Sequence, residues 1–549
     1  ANGSRLFIPP YMQPVEPNVP KQIVEGYTEL GNAMAASMRK MGYQGITTNS
    51  TYDAWTPARA YSHYHGGVRI LSETASARLA TPITVKWEDI RGSSDDGYDP
   101  RVESANFGPV WKGGEWGLRN ITDYMTTAAF SLLNHASDNR ERWLSRFYEI
   151  GKEAVRPRKA GESQAIILSG QNSWGLSLLL QRAAVKFERV GAFRHDGKSF
   201  PNNTIVIKMN QPYAGFAKAL LEAQSYPDLL DKEGHPIAPY DVTAHSLNLL
   251  SDVDATTTAS PLPKTRKPDP PTLTALNLPP IDSGPNVFLY RSWNASMDEG
   301  WTRWVFDQRL RYFNDRLSYR QVLDEEIKRG TWFGGTPRTI VFPDQSAGQI
   351  LNGYRKGSMP DQYTGGVGKE GVENLKKFVE AGGTLVFLNR ASTFAIEQFN
   401  LPVKDVTRGL ARKDFYIPGS ILRTELDLSH PIAKGMPQQS IAWFENSPAF
   451  ELVQSASFSS SPGGKETSLG SGGRDESRTL NARIIARYPS DPKQILLSGW
   501  ALGAEKIAGK AALVEFTYGK GKIVLFGFRP QYRGQSLATF PLLFNAISQ

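Results

Sequence analysis

Residues 372–388, VENLKKFVEAGGTLVFL, decide the fold class of the C-terminal half. A helix over Val372–Ala381 is stopped by Gly382-Gly383, and an apolar strand over Thr384–Leu388 follows at once. An uninterrupted apolar strand directly after a helix is the signature of a sheet covered on both faces. Working outward, the same alternation recurs as strand Val287–Tyr290, helix Met297–Arg309 and strand Thr339–Phe342, which predicts a doubly wound parallel sheet. Further on, Ser455–Gly473 is Ser/Gly-rich and reads as a loop. Strands Ile495–Ser498, Ala511–Thr517 and Lys522–Phe528 then form a β-rich end, with Tyr518–Gly521 as the hairpin turn between the last two.

Toward the N-terminus, eight prolines fall between Thr256 and Pro285, so residues 256–285 are expected to be an extended linker before a domain at 286–549. Residues 161–255 read as a small α/β unit: strand Ala165–Ser169, helix Leu176–Lys186, strand Thr204–Met209 and helix Ala214–Gln224. Residues 91–160 form a connecting region whose second part, Leu118–Val155, is helical. In residues 1–90, strand Arg5–Pro10 and a helix over Pro20–Met41, with Ile23, Tyr27, Leu30, Met34 and Met38 at helical spacing, precede strand Val68–Ser72. That order predicts a mixed sheet with Glu73 delivered at its edge, where sites commonly sit.

Composition narrows the function classes. The 549 residues are 40% hydrophobic and 21% charged, as in ordinary multidomain globular proteins. The net charge of +9 is spread without a dense Lys/Arg block, so no nucleic-acid partner is expected. No apolar run approaches the length of a membrane span. With no cysteine, the residues offer neither disulfides nor thiol nucleophiles nor Cys-ligated zinc, which fits a periplasmic or secreted protein. The aromatic segment Trp111–Trp116 leaves room for homo-oligomer contacts.

Local motifs give no complete site. None of the seven histidines has a Glu three positions on, and His135 with Asp138 reads as a pair at a helix end. His63 and His65 flank Tyr64 and would share a face if extended, as substrate contacts or packing groups. Ser173 lies outside any G-x-S-x-G elbow and suits a helix N-cap, and 365–370, GGVGKE, lacks the leading Gly and final Ser/Thr of a phosphate loop.

Residues 52–78, YDAWTPARAYSHYHGGVRILSETASAR, carry a resemblance. They resemble the closing part of the catalytic domain of zinc carboxypeptidases, in particular the large bacterial members with a long C-terminal extension. The apolar pair, small residue and glutamate of Ile70-Leu71-Ser72-Glu73 match the strand end that bears the family's general base, and the opening Ser4–Tyr11 resembles the segment after its third zinc ligand. The resemblance implies zinc-dependent peptide hydrolysis with Glu73 as general base and Tyr52, some twenty residues earlier, closing over the substrate; His65 is assigned as a substrate contact. It also implies that zinc is bound by residues upstream of this chain, so that an upstream zinc-binding segment of the same gene product is the expected partner of residues 1–90. The alternative for Glu73 is a strand-end carboxylate paired with Arg69 or Arg78, and for Tyr52 a turn aromatic packed on Trp55.

Residues 286–306 and 378–388 are similar to the flavodoxin-like sheet of class I glutamine amidotransferases. Those enzymes need a nucleophilic Cys at a strand–helix elbow, whereas the turn after Leu388 reads Asn389-Arg390-Ala391-Ser392, so a degenerate domain that binds, braces or assembles is expected. The alternative for the whole chain is a non-catalytic binding or assembly protein of peptidase-derived architecture.

Overall fold

The computed structural model describes residues 3–50, 52–92, 97–231, 234–268, 286–313, 317–332, 335–453, 457–458 and 480–549. The chain is mixed α/β and divides into two compact units, Ala1–Asn248 with Val253–Pro270, and Leu249–Asp252 with Pro271–Gln549. The three N-terminal segments of the sequence reading therefore share one unit.

In the first unit a sheet runs in the order Glu73–Thr74, Leu6–Phe7, Ile46–Thr47, Phe107–Gly108. Leu6–Phe7 is parallel to Ile46–Thr47 and antiparallel to Glu73–Thr74. Helix Lys21–Lys40 buries Leu30, Met34 and Met38 with Leu6, Ile8 and Ile46, and helix Leu118–Asp138 adds Tyr124 and Ala128 to the same core. The first helix can lie this close only because residue 31 is glycine: a Cβ there would stand 2.0 Å from the Pro9 carbonyl oxygen. Arg5 is buried with its Cζ 3.9 Å from the Trp111 ring centroid and 4.9 Å from that of Trp116. The expected long helical stretch is two helices, Leu118–Asp138 and Arg140–Val155.

A second, antiparallel sheet has the order Glu188–Val190, Thr204–Lys208, Ala165–Ser169, Asp254–Thr258. Its last strand corrects the expected linker boundary at 256, because Thr256 and Thr257 pair with Ile167 and Ile166. Three threonines in succession suit a strand whose outer edge meets water. Linker residues 269–285 and most of Ser455–Gly473 lie outside the described residues, although Ser457–Phe458 is a strand paired with Asn481 and Ala482.

The second unit is built on a sheet of 13 described strands. Five are parallel, in the spatial order Tyr319–Leu323, Val287–Arg291, Thr339–Phe342, Thr384–Leu388, Gly521–Phe526. Numbered along the chain this is 2-1-3-4-5, the flavodoxin-like order. Successive residues of Val287–Tyr290 alternate between two cores and all are buried, which explains why the strand reads as continuously apolar. Val287 and Leu289 face Phe306, Leu542 and Leu543, whereas Phe288 and Tyr290 face Ile327, Leu375 and Phe394. Beyond Gly521–Phe526 the sheet continues antiparallel through Ala511–Tyr518, Leu480–Arg487, Pro418–Leu426 and Gln439–Glu445.

Candidate functional site

Glu73 and Tyr52 meet. Glu73 opens strand Glu73–Thr74 opposite Phe7, with its side chain exposed, and the buried Tyr52 phenol donates to Glu73 Oε2. Neither Arg69 nor Arg78 forms an ion pair with Glu73 among the described residues. The Tyr52 ring is fixed edge-on by Phe7 at 5.9 Å and by Tyr240 at 5.2 Å. Burial, and then the Glu73 carboxylate it serves, push the phenol well above the ordinary tyrosine range, so Tyr52 stays a neutral donor.

The approach to Glu73 differs from expectation. Val68–Ser72 is not a strand; the strand begins at Glu73 itself. Side chains take the backbone groups that a ladder would have used: Tyr11 Oη accepts from Leu71 N at 2.7 Å and donates to Arg69 O at 3.3 Å, and His63 Nε2 lies 3.3 Å from the same carbonyl. Burial lowers the His63 pKa and keeps its ring neutral, stacked on Tyr27.

The next residue after Tyr52, Asp53, is buried, accepting from Trp55 N at 3.3 Å and Tyr226 Oη at 3.2 Å, and burial pushes it up to about 6. Arg59 reaches Asp241 at 2.6 Å and lies 4.6 Å over the Tyr240 ring. Trp55 Nε1 donates to Thr243 O at 2.8 Å. The irregular stretch around 240–243, invisible as a site element in the sequence, thus forms one wall.

His65 is placed elsewhere. Its Nδ1 lies 2.9 Å from Tyr61 O and its Nε2 3.0 Å from Ala183 O, and its ring packs against Tyr61, Tyr213 and Phe216. Both nitrogens and both ring faces are engaged there, so the structure brings Tyr52 to Glu73 but not His65. Among the described residues no group of three or more His, Asp or Glu converges to hold a metal ion. The donor set around Tyr52–Glu73 therefore does not by itself fit zinc.

A second constellation stands at the carboxyl ends of the parallel strands in the other unit. Strand Thr384–Leu388 turns into helix Ala391–Gln398 through Asn389, which is buried with φ +54°, a conformation few side-chain-bearing residues adopt. Asn389 Nδ2 donates to Asp344 Oδ1 at 2.8 Å. Arg390 adds its backbone N at 3.0 Å and its Nη2 at 2.6 Å to the same carboxylate. Arg529, 7% exposed, bridges Asp344 at 3.1 Å and Asp298 at 3.0 Å. Burial opposes ionisation of Asp344, but the two arginines hold it below the usual carboxylate range; Asp298, with fewer donors, is pushed by burial up to about 7. Beside this network lies a cavity of about 440 Å³ lined by Ser346, Arg390, Thr393, Asp405, Thr407 and Arg408 among others.

No protein-family model matches the chain, and no curated protein does. Among solved structures it is similar to a ThuA-like protein from Bacteroides uniformis, with 11% identity, TM-score 0.26, and coverage of 50% of this chain and 94% of that one. It is also similar to a glutamine amidotransferase from Thermotoga maritima, with 10% identity, TM-score 0.25, and coverage of 45% and 75%. A β-galactosidase from Bacillus circulans matches with 11% identity and TM-score 0.28 over 47% of this chain and 30% of its own length.

The Asp298–Arg529–Asp344 network escaped the sequence reading. Its only signal was position: Asp344 and Asn389 each follow a strand of the parallel set, where open α/β sheets gather their functional groups.

Proposed function

We propose that this chain supplies the general-base side of a zinc-dependent peptide hydrolase, with zinc held by an upstream segment of the same gene product. The observation that supports the reading is the hydrogen bond from the buried Tyr52 phenol to the exposed Glu73 carboxylate. Zinc, if held by ligands outside this chain, would supply a water of lowered pKa. Glu73, oriented through Oε2 by Tyr52, would have Oε1 free to accept a proton from an attacking water and return it to the leaving amine. Tyr52, kept neutral, orients that carboxylate and can turn its hydrogen toward a peptide carbonyl. Zinc and peptide substrate are thus this reading's cofactor and ligand, and a cysteine-free chain suits a periplasmic or secreted place of work.

The exposed apolar residues Phe130, Leu133, Leu144 and Tyr148 on helices Leu118–Asp138 and Arg140–Val155 are a surface such an upstream segment would cover. In the second unit, Asn389 occupies the elbow where an amidotransferase needs its nucleophile, so we assign that unit a non-catalytic binding role.

Metal analysis of the full gene product and the variant Glu73→Gln test the reading together. Bound zinc, with peptide hydrolysis lowered by about 10²- to 10⁴-fold in the variant, is the expected result. Absence of zinc, with any hydrolysis unchanged in Glu73→Gln, establishes the binding or assembly alternative instead.

A further inference from the structure

The cavity beside the Asp298–Arg529–Asp344 network is lined by polar groups that the fold itself leaves unpaired. Its volume of about 440 Å³ falls within the range of about 300–1,000 Å³ typical of small-molecule sites. It is open to solvent, because Glu397, Arg408 and Asn446 on its lining are exposed. Arg390 gives Nε and Nη2 to Asp344, whereas its Nη1 has no hydrogen-bond partner among the described residues and is not sealed, the side chain being 42% exposed. Asp405 receives Thr407 N at 2.9 Å, Thr407 Oγ1 at 2.8 Å and Ala449 N at 3.2 Å, all on Oδ1. Its Oδ2 has no donor among the described residues and is likewise not sealed. Burial raises the Asp405 pKa in spite of the donors on Oδ1, so a further donor would stabilise the carboxylate. Half-buried Thr393 keeps a hydroxyl on the lining that no described residue engages.

Charge and shape decide the class of ligand these groups take. The lining carries two arginines and two carboxylates. Arg390 is neutralised by Asp344 at 2.6 Å and Arg408 by Glu397 at 2.7 Å, so an anion finds no uncompensated cation. No aromatic ring of the described residues lines the cavity, which leaves a flat heterocycle without a stacking platform. A neutral molecule with many hydroxyls fits instead, since each hydroxyl can accept from Arg390 Nη1 or donate to Asp405 Oδ2.

We propose that this cavity binds a neutral polyol of the size of a mono- or disaccharide, its hydroxyls taken by Arg390 Nη1, Asp405 Oδ2 and the Thr393 hydroxyl. The inference rests on the non-catalytic binding role assigned to the second unit and names its ligand class.

The test is ligand-observed NMR on the full gene product, by proton for D-glucose, D-galactose, mannitol, maltose and glutamine, and by phosphorus for inorganic phosphate. Saturable binding of at least one of the four polyols is expected, with no binding of the zwitterion or the anion. Thr393→Val is isosteric and removes only the hydroxyl, and Asp405→Asn keeps the Oδ1 acceptor but turns the open one into a donor. Each should weaken that polyol about fivefold, the loss of one hydrogen bond. Near-UV circular dichroism identifies a variant that has lost its fold, and the other then decides. Polyol binding unchanged in the folded variants overturns the assignment to this cavity. Binding of glutamine or phosphate but of no polyol overturns the ligand class and leaves the binding role of the unit intact. Failure of every probe to bind overturns the two together.

Discussion

Replacing Arg529 with methionine keeps most of the buried volume and removes the cation between Asp298 and Asp344. Asp344 retains Arg390 and Asn389, so the cost falls on Asp298. With a parent pKa of about 7, an Asp298 left with only the long 3.5 Å bond from Gln531 Nε2 escapes by taking up a proton, which at pH 8.5 costs about 2 kcal/mol at 1.36 kcal/mol per pH unit. The lost hydrogen bonds add about 1–2 kcal/mol. At pH 6 Asp298 is already protonated in the parent, and only the second part remains. The sign agrees with linkage: a carboxyl whose folded pKa is raised contributes stability below its unfolded value, here 3.8, and loses it as pH rises toward about 7. Arg529→Met moves the upper limit of that window higher. Thermal unfolding followed by near-UV circular dichroism should show the second unit's transition falling by on the order of 10 °C at pH 8.5 and about half that at pH 6, at ~2–4 °C per kcal/mol. A loss equal at both pH values, or one under about 1 kcal/mol, would refute the assignment of a strained Asp298.

Gly31→Ala should destabilise the first unit by about 1–3 kcal/mol, because the new methyl meets the Pro9 carbonyl and the helix must retreat; urea unfolding measures it. At the elbow, Asn389→Gly keeps the left-handed turn but loses the bond to Asp344, at about 1 kcal/mol, whereas Asn389→Val should cost about 1–2 kcal/mol more for the backbone alone. If the valine variant is no worse than the glycine variant, the strain argument at residue 389 fails.

The parallel strands were legible because burial on both faces leaves a run such as Thr384–Leu388 with no polar alternation, and Gly382-Gly383 marks where it begins. Val68–Ser72 also reads as a strand and is not one, because Tyr11 and His63 satisfy its backbone from the side, a long-range substitution that no local pattern reports. Asp254–Thr258 was hidden for the opposite reason: its polar threonines adjoin a proline-rich stretch and signal a loop. Tyr52 and Glu73 were singled out through a suggested family likeness rather than through spacing, and the structure shows that the two side chains touch. The Arg529 contacts to Asp298 and Asp344 span 231 and 185 residues, and nothing in a linear sequence pairs charges at such distances.

The flavodoxin-like order has a consequence for synthesis on the ribosome. The fifth parallel strand, Gly521–Phe526, seals the edge of Thr384–Leu388 only after the entire antiparallel excursion has been made; Ser392 Oγ finds the Phe526 carbonyl 134 residues further along. Until then Thr384–Leu388 is a bare, apolar, aggregation-prone edge. A nascent chain stalled before residue 521 should therefore hold a chaperone, and release it once those last residues have emerged.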